Sequence, residues 1–355
     1  MIPELGIIEG YFGRTWSWRA RTAVVDNLGP AGYRFFHYAP KLDQKLRREW
    51  RKPHTKEEAS SIQTFASHCR AKSVRFGIGL TPYDAHLSFD EATKSSLKAK
   101  LQQFDAWGID DLALLFDDMR GDIPELATRQ TEIARFVTDH SRATRFFFCP
   151  SYYSLDQRLD TVFGKRPVDY LHDLGKSLDP CIAVYWTGEE VCSPEIRQAH
   201  LQDIAEVLGR KVALWDNYPV NDGPRMSQFL HLRAFTGRSS EIADNISHHA
   251  INPASQPILG CIPALTLPMI YQDGASYRYS AAFQKAANQI CGQDLEEALR
   301  ADLLSLQAVG LNQMPVELKT QLRSKYAAFK GDAAVEIIDW LDGGYAIKGE
   351  QLLTQ

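Results

Sequence analysis

Two adjacent carboxylates, Asp117-Asp118, follow the apolar run Leu112-Ala113-Leu114-Leu115-Phe116. Two acids in such a setting pay desolvation and repel one another, so one of them should hold its proton more tightly. A carboxyl with a raised pKa is what a general acid needs near neutral pH. The bland alternative is a loop or helix-cap pair, which spacing alone leaves open. Other polar and aromatic groups also follow apolar runs: Glu9-Gly10, Tyr38-Ala39-Pro40-Lys41, Thr81-Pro82-Tyr83-Asp84, Cys149-Pro150-Ser151-Tyr152-Tyr153, Trp186-Thr187-Gly188 and Trp215-Asp216-Asn217. Aromatic walls with a few carboxylates and amides suit a sugar. Its ring faces stack on Trp or Tyr, and its hydroxyls bond to Asp, Asn and Lys. Trp215-Asp216-Asn217 and the nearby Asn221-Asp222 fit that pattern, but they also read as an Asx-rich turn.

The runs that carry these groups read as strands at 5–10, 33–40, 74–80, 111–118, 145–151, 181–188, 211–217 and 258–265. Each is nearly continuous in apolar character, which marks strands buried on both faces of a parallel sheet. Helix-compatible stretches lie between them, among them 55–71, 89–108, 127–142 and 194–209, the last opening on Ser-Pro and closing at Gly. Eight such alternations predict a closed (β/α)8 barrel over 1–280. An open doubly wound sheet is the alternative, but no GxGxxG follows the first strand. Residues 281–355 read as helices packed on or beside the barrel, and their exposed apolar positions leave a homodimer surface as an option. In a barrel of this kind the chemistry sits at the C-terminal ends of the strands, where the polar groups fall.

Composition narrows the partners. The 355 residues are 44% hydrophobic and 24% charged, enough for a large core, and the net charge of -4 leaves no basic footprint for nucleic acid. The six cysteines include no CxxC pair and no zinc-type spacing with His. His248-His249 resembles a metal pair, but neighbours in a loop rarely chelate one ion, so no metal or other cofactor is expected. Met1 leads almost directly into the first strand and no apolar stretch is long enough to span a membrane, so a cytoplasmic chain is the expectation.

The strand-end segments together resemble glycoside hydrolase family 84, the O-GlcNAcase-type β-N-acetylglucosaminidases. The matching segments are GIIEGYFGRTW (6–16), YAPK (38–41), LLFDDM (114–119), FCPSYY (148–153), YWTG (185–188), LWDNYPVND (214–222) and INP (251–253). The resemblance implies substrate-assisted hydrolysis with retention. The 2-acetamido oxygen attacks the anomeric carbon, so the usual spacing rule for paired glycosidase carboxylates does not apply. It implies that Asp117 orients the acetamido N–H and that Asp118 is the general acid and base. Tyr153 would hydrogen-bond at the acetamido group, and Cys149, Thr187 and Trp215 would line the pocket for its methyl. Gly10, Lys41, Asn217, Asp222 and Asn252 would bind hydroxyls or organise the site. Val191 would border the aglycone side. One departure concerns Phe12: the chain reads Gly-Tyr-Phe-Gly where Gly-Phe-Tyr-Gly is the common pattern, so a hydroxyl is missing there. Two other readings compete: a non-catalytic GlcNAc-binding barrel, and a hydrolase using the Asp pair as magnesium ligands.

Overall fold

The computed structural model describes residues 2–347. Eight parallel strands close into a barrel in sequence order: β1 (Glu4–Glu9), β2 (Tyr33–Tyr38), β3 (Arg75–Leu80), β4 (Asp111–Leu115), β5 (Arg145–Cys149), β6 (Ala183–Trp186), β7 (Val212–Asp216) and β8 (Ile246–Ile251). The sheet is sealed where β1 pairs with β8, from Glu4 opposite His248 to Ile7 opposite Ile251. Seven of the expected strands are present. The expected eighth, 258–265, is instead part of the helix Pro257–Asp273, and β8 lies a few residues before it.

That exchange has a physical cause. β8 reads Ile-Ser-His-His-Ala-Ile, too polar to resemble a buried strand. Its two histidines point to opposite faces, as neighbours on a strand must. His248 packs on Phe35 and Phe147 inside the barrel, while His249 bonds Asp216 at 3.0 Å and the Tyr271 hydroxyl at 2.7 Å. The Pro257–Asp273 helix is apolar all round because it is covered all round. The barrel lies beneath it, and the helices Trp18–Leu28, Tyr279–Cys291 and Asp332–Leu341 pack against it. It also holds Pro263 and Pro268, which argue against a helix. Pro268 cannot donate to the Ala264 carbonyl, and the Tyr33 hydroxyl donates there at 2.8 Å instead.

The helices expected at 55–71, 89–108 and 127–142 are observed as Lys56–Ala71, Glu91–Trp107 and Leu126–His140. The one expected at 194–209 begins only at Gln198. Its Ser-Pro start signal is overridden because Ile196 is held extended, its N–H donating to the Gly237 carbonyl at 2.9 Å. After residue 280 the described chain is helical, including Gln293–Leu304 and Val316–Tyr326. The Asp332–Leu341 helix is keyed to the barrel: Glu336 accepts from the Ile258 and Leu259 N–H groups at 3.0 and 2.9 Å, the start of the last barrel helix. Met1 and the last eight residues of the expected helical region lie outside the described residues. No helix among the described residues is long and apolar enough to cross a membrane.

Beneath the strand ends, the barrel interior is aromatic. Phe35 meets Phe147 at a tilt at 5.6 Å, Phe147 stacks on Tyr185 at 5.3 Å, and Trp215 meets Tyr185 edge to face at 5.3 Å. Such contacts fix ring orientation as well as burying area. Trp215 is thereby held upright at the top of the barrel.

Candidate active site

Seven of the eight strand ends, all but that of β3, supply between one and four groups to a single cleft at the C-terminal face. Gly10 and Phe12 follow β1, Lys41 follows β2, and Asp117 and Asp118 follow β4. Cys149 and Tyr153 come from β5 and its loop, and Thr187, Val191 and Cys192 follow β6. Trp215, Asn217, Val220 and Asp222 come from β7 and its loop, and Asn252 closes the ring after β8. All eleven residues expected at the site line this cleft, together with Val191 and Phe12. It encloses about 490 Å³ counting its open mouth.

Alternation along the strands decides which polar residues arrive. Glu9 and Asp216, one position from Gly10 and from Trp215 and Asn217, turn away from the cleft. Glu9 forms a fully buried bidentate pair with Arg21, both bonds 2.7 Å. Asp216 pairs with Arg238 at 2.6 and 2.7 Å, and Arg238 and His249 hold its carboxyl down at about 2 despite burial. Asn221 also turns inward, bonding Ser255, Gln256 and the Phe229 carbonyl. These three are props behind the cleft rather than parts of it, which corrects the sugar-binding reading of Asp216 and Asn221.

The two central acids escape alternation by a backbone turn. β4 ends at Leu115, and Asp118 sits in the left-handed region with φ 58°. Asp tolerates that conformation at a cost of about 1 kcal/mol. The turn is anchored on both sides: the Phe116 N–H donates to the Cys149 carbonyl at 2.9 Å, and the Ser151 hydroxyl donates to the Phe116 carbonyl at 3.0 Å. Both carboxylates therefore face one cleft.

Their environments differ. Lys41 Nζ is bound directly to Asp117 Oδ2 and lies 3.8 Å from Asp118 Oδ2. The other oxygen of Asp117, Oδ1, is buried and has no hydrogen-bond partner among the described residues. Burial pushes the Asp118 carboxyl above its usual range. Lys41 opposes that, the Asp117 charge adds to it, and Arg47 opposes it from the β2 side. One acid is thus ion-paired with an acceptor to spare, and its neighbour is biased toward carrying a proton.

The rest of the wall is locked by a relay of amides. The Gly10 N–H donates to Asn252 Oδ1 at 3.3 Å, and the Asn252 amide donates to Asn217 Oδ1 at 2.9 Å. The Trp215 indole N–H reaches the same Asn217 oxygen at 3.1 Å, and the Asn217 amide donates to the Val191 carbonyl at 2.7 Å. Gly10 is required by close approach: a Cβ there would come within 2.3 Å of the Trp215 ring. The Thr187 hydroxyl is engaged with the Glu190 carbonyl at 2.9 Å. Burial pushes the Cys149 thiol well up, so it serves as neutral lining. Asp222 accepts from the Phe12 N–H at 2.7 Å, and burial pushes its carboxyl up to about 7 against that bond.

Sequence alone gives no sign of Cys192, Val220 or Arg47. The first two are small apolar lining residues on loops, and the third stands out only by its surroundings. Among the described residues, no three His, Cys, Asp or Glu side chains gather as a metal site.

Comparison with known proteins points to one family. A family model described as NAGidase, beta-N-acetylglucosaminidase, matches residues 5–303. The chain is 30% identical over 258 residues to Protein O-GlcNAcase of Rattus norvegicus and equally to that of Mus musculus. Each match covers 70% of this chain, which spans only 28% of the length of those relatives. Among solved structures, a mutant of the Thermobaculum terrenum O-GlcNAc hydrolase superposes with a TM-score of 0.77 at 25% identity, over 95% of this chain and 73% of that one.

Proposed function

The chain belongs to glycoside hydrolase family 84, the NAGidase family of β-N-acetylglucosaminidases, and from that membership we propose that it removes terminal β-linked GlcNAc with retention, by substrate-assisted catalysis. The observation that carries the mechanism is the divided state of Asp117. Its Oδ2 is held by Lys41, and its buried Oδ1 has no hydrogen-bond partner among the described residues. A buried carboxylate oxygen left without a donor is costly. An amide N–H supplied by the ligand would satisfy it.

In the first step the acetamido oxygen attacks the anomeric carbon and the bond to the leaving oxygen breaks. Asp118 gives that oxygen its proton. Asp117 accepts the acetamido N–H and offsets the positive charge that develops as the oxazoline ring closes. In the second step water adds to the anomeric carbon from the vacated side, Asp118 takes its proton, and the ring opens to regenerate the acetamide. Two inversions leave the configuration retained. Cys149, Tyr153, Thr187 and Trp215 enclose the acetamido group, and Asn217, Asp222 and Asn252 meet the hydroxyls. No side chain forms a bond to the sugar.

The proposed substrates are GlcNAc-bearing glycosides, glycans or glycoproteins, including GlcNAc on Ser or Thr. A direct test compares 4-nitrophenyl β-GlcNAc with 4-nitrophenyl β-glucoside. Nitrophenol is expected from the first only, because the glucoside lacks the attacking oxygen. Binding of GlcNAc without release from either glycoside would favour the non-catalytic alternative. Loss of activity after exhaustive chelation, restored by magnesium, would favour the metal-dependent one.

A further inference from the structure

The loop after β2 runs Lys45-Leu46-Arg47-Arg48-Glu49-Trp50-Arg51-Lys52, five cations in eight residues. Lys45 pairs with Glu58 at 2.6 Å and Lys52 with Glu49 at 3.0 Å, while Arg51 lies over the Trp50 ring and reaches the Thr93 hydroxyl. Arg47, Arg48 and Arg51 all lack a carboxylate within ion-pair distance among the described residues, but Arg47 and Arg48 also lack the hydroxyl contact that Arg51 makes. Arg47 is only 7% exposed, and its Nε is buried without a hydrogen-bond partner. Its guanidinium lies between two aromatic faces, 5.4 Å from the Phe12 ring centre and 5.3 Å from that of Tyr83, and Arg48 covers the same Tyr83 ring at 4.7 Å.

A buried cation is normally paired, because its desolvation is otherwise uncompensated. Ring faces repay part of that cost and leave the in-plane N–H donors unused. The position says what could complete them. Phe12, on which Arg47 rests, is a wall of the cleft that also holds Asp118. A general acid marks the side from which the leaving group departs, and the Arg47 charge acts on Asp118, so Arg47, behind Phe12 rather than in the cleft lining itself, stands toward that side.

We propose that Arg47, with Arg48 at the rim, forms an aglycone subsite that binds a carboxylate carried close to the cleaved bond. One buried positive charge matches a monoanion, and a planar guanidinium meets a carboxylate with two parallel bonds. The flanking Phe12 and Tyr83 faces shield those bonds from water. The proposal rests on the GlcNAc reading of the cleft, since that reading defines which side is the aglycone.

The test compares 4-(carboxymethyl)phenyl β-GlcNAc with its carbamoylmethyl counterpart. The two are nearly isosteric and leave as phenols of similar acidity. At low salt the kcat/KM of the carboxylate substrate should exceed that of the amide by about tenfold. Arg47→Gln should bring the ratio near one. Arg48→Gln, at an exposed position, should lower the ratio in part, and so keeps the test open if the Arg47 variant fails to fold. The ratio between substrates cancels any effect of Arg47 on Asp118, which both substrates share. A ratio near one in the native protein, or a native ratio kept in Arg47→Gln, overturns the subsite and leaves the GlcNAc reading standing. If neither glycoside is cleaved, the reading of the cleft falls and the subsite with it.

Discussion

Asp118→Ala is expected to lower kcat/KM on alkyl GlcNAc glycosides by about 10²–10⁴, the usual worth of a positioned general acid. On activated aryl glycosides, whose phenols leave without a proton, the loss should stay within about tenfold. The specificity constant reports only the steps through departure of the leaving group, so the later role of Asp118 as a base does not blur the contrast. The same residue sets a pH limb. Burial holds its carboxyl above the usual range, so Asp118 keeps its proton above the pH at which an exposed aspartate would have lost it. Alkyl glycoside cleavage should fall as pH rises through that elevated value. In the variant that limb should disappear. Equal losses on both substrate classes would remove Asp118 from the acid role.

Asp117→Ala should behave differently. Activated substrates should slow by about 10²–10³, the range for losing one preorganised electrostatic partner of a transition state, because ring closure itself loses its orienting acceptor. The substitution also removes the carboxylate that Lys41 binds directly in a buried site, leaving it only Asp118 at 3.8 Å. Asp117→Asn separates the two effects. It keeps the shape and a carbonyl acceptor but not the charge, so a substantial part of the loss should remain. Native turnover of aryl glycosides by Asp117→Ala would reverse the two roles.

The barrel was legible because β1 to β7 are apolar on both faces, and a parallel sheet wrapped in helices demands that of its strands. β8 escaped because Ser247, His248 and His249 are made acceptable by partners distant in sequence, such as Asp216 and Tyr271. The Pro257–Asp273 helix misled for the opposite reason: without a solvent-facing side it has no 3.6-residue period to read. At the cleft, motif order placed Trp215 and Asn217 in the same short segment as Asp216 and Asn221. Only the direction of each side chain separates those that line the cleft from those that brace it. The left-handed turn at Asp118 was equally hidden, since an Asp-Asp pair carries no mark of φ. Arg47 was the least legible, because a missing counter-ion is a fact about neighbours in space.

The claim on which the mechanism depends is that the attacking oxygen belongs to the substrate. It is tested most directly by kcat/KM for aryl β-GlcNAc analogues bearing N-acetyl, N-fluoroacetyl, N-difluoroacetyl and N-trifluoroacetyl groups. Each fluorine withdraws electron density from the amide oxygen and adds little bulk. A steep fall at every step is the predicted result. Equal rates across the four, together with a sugar ester trapped on any carboxylate of the cleft, would show that the protein supplies the nucleophile.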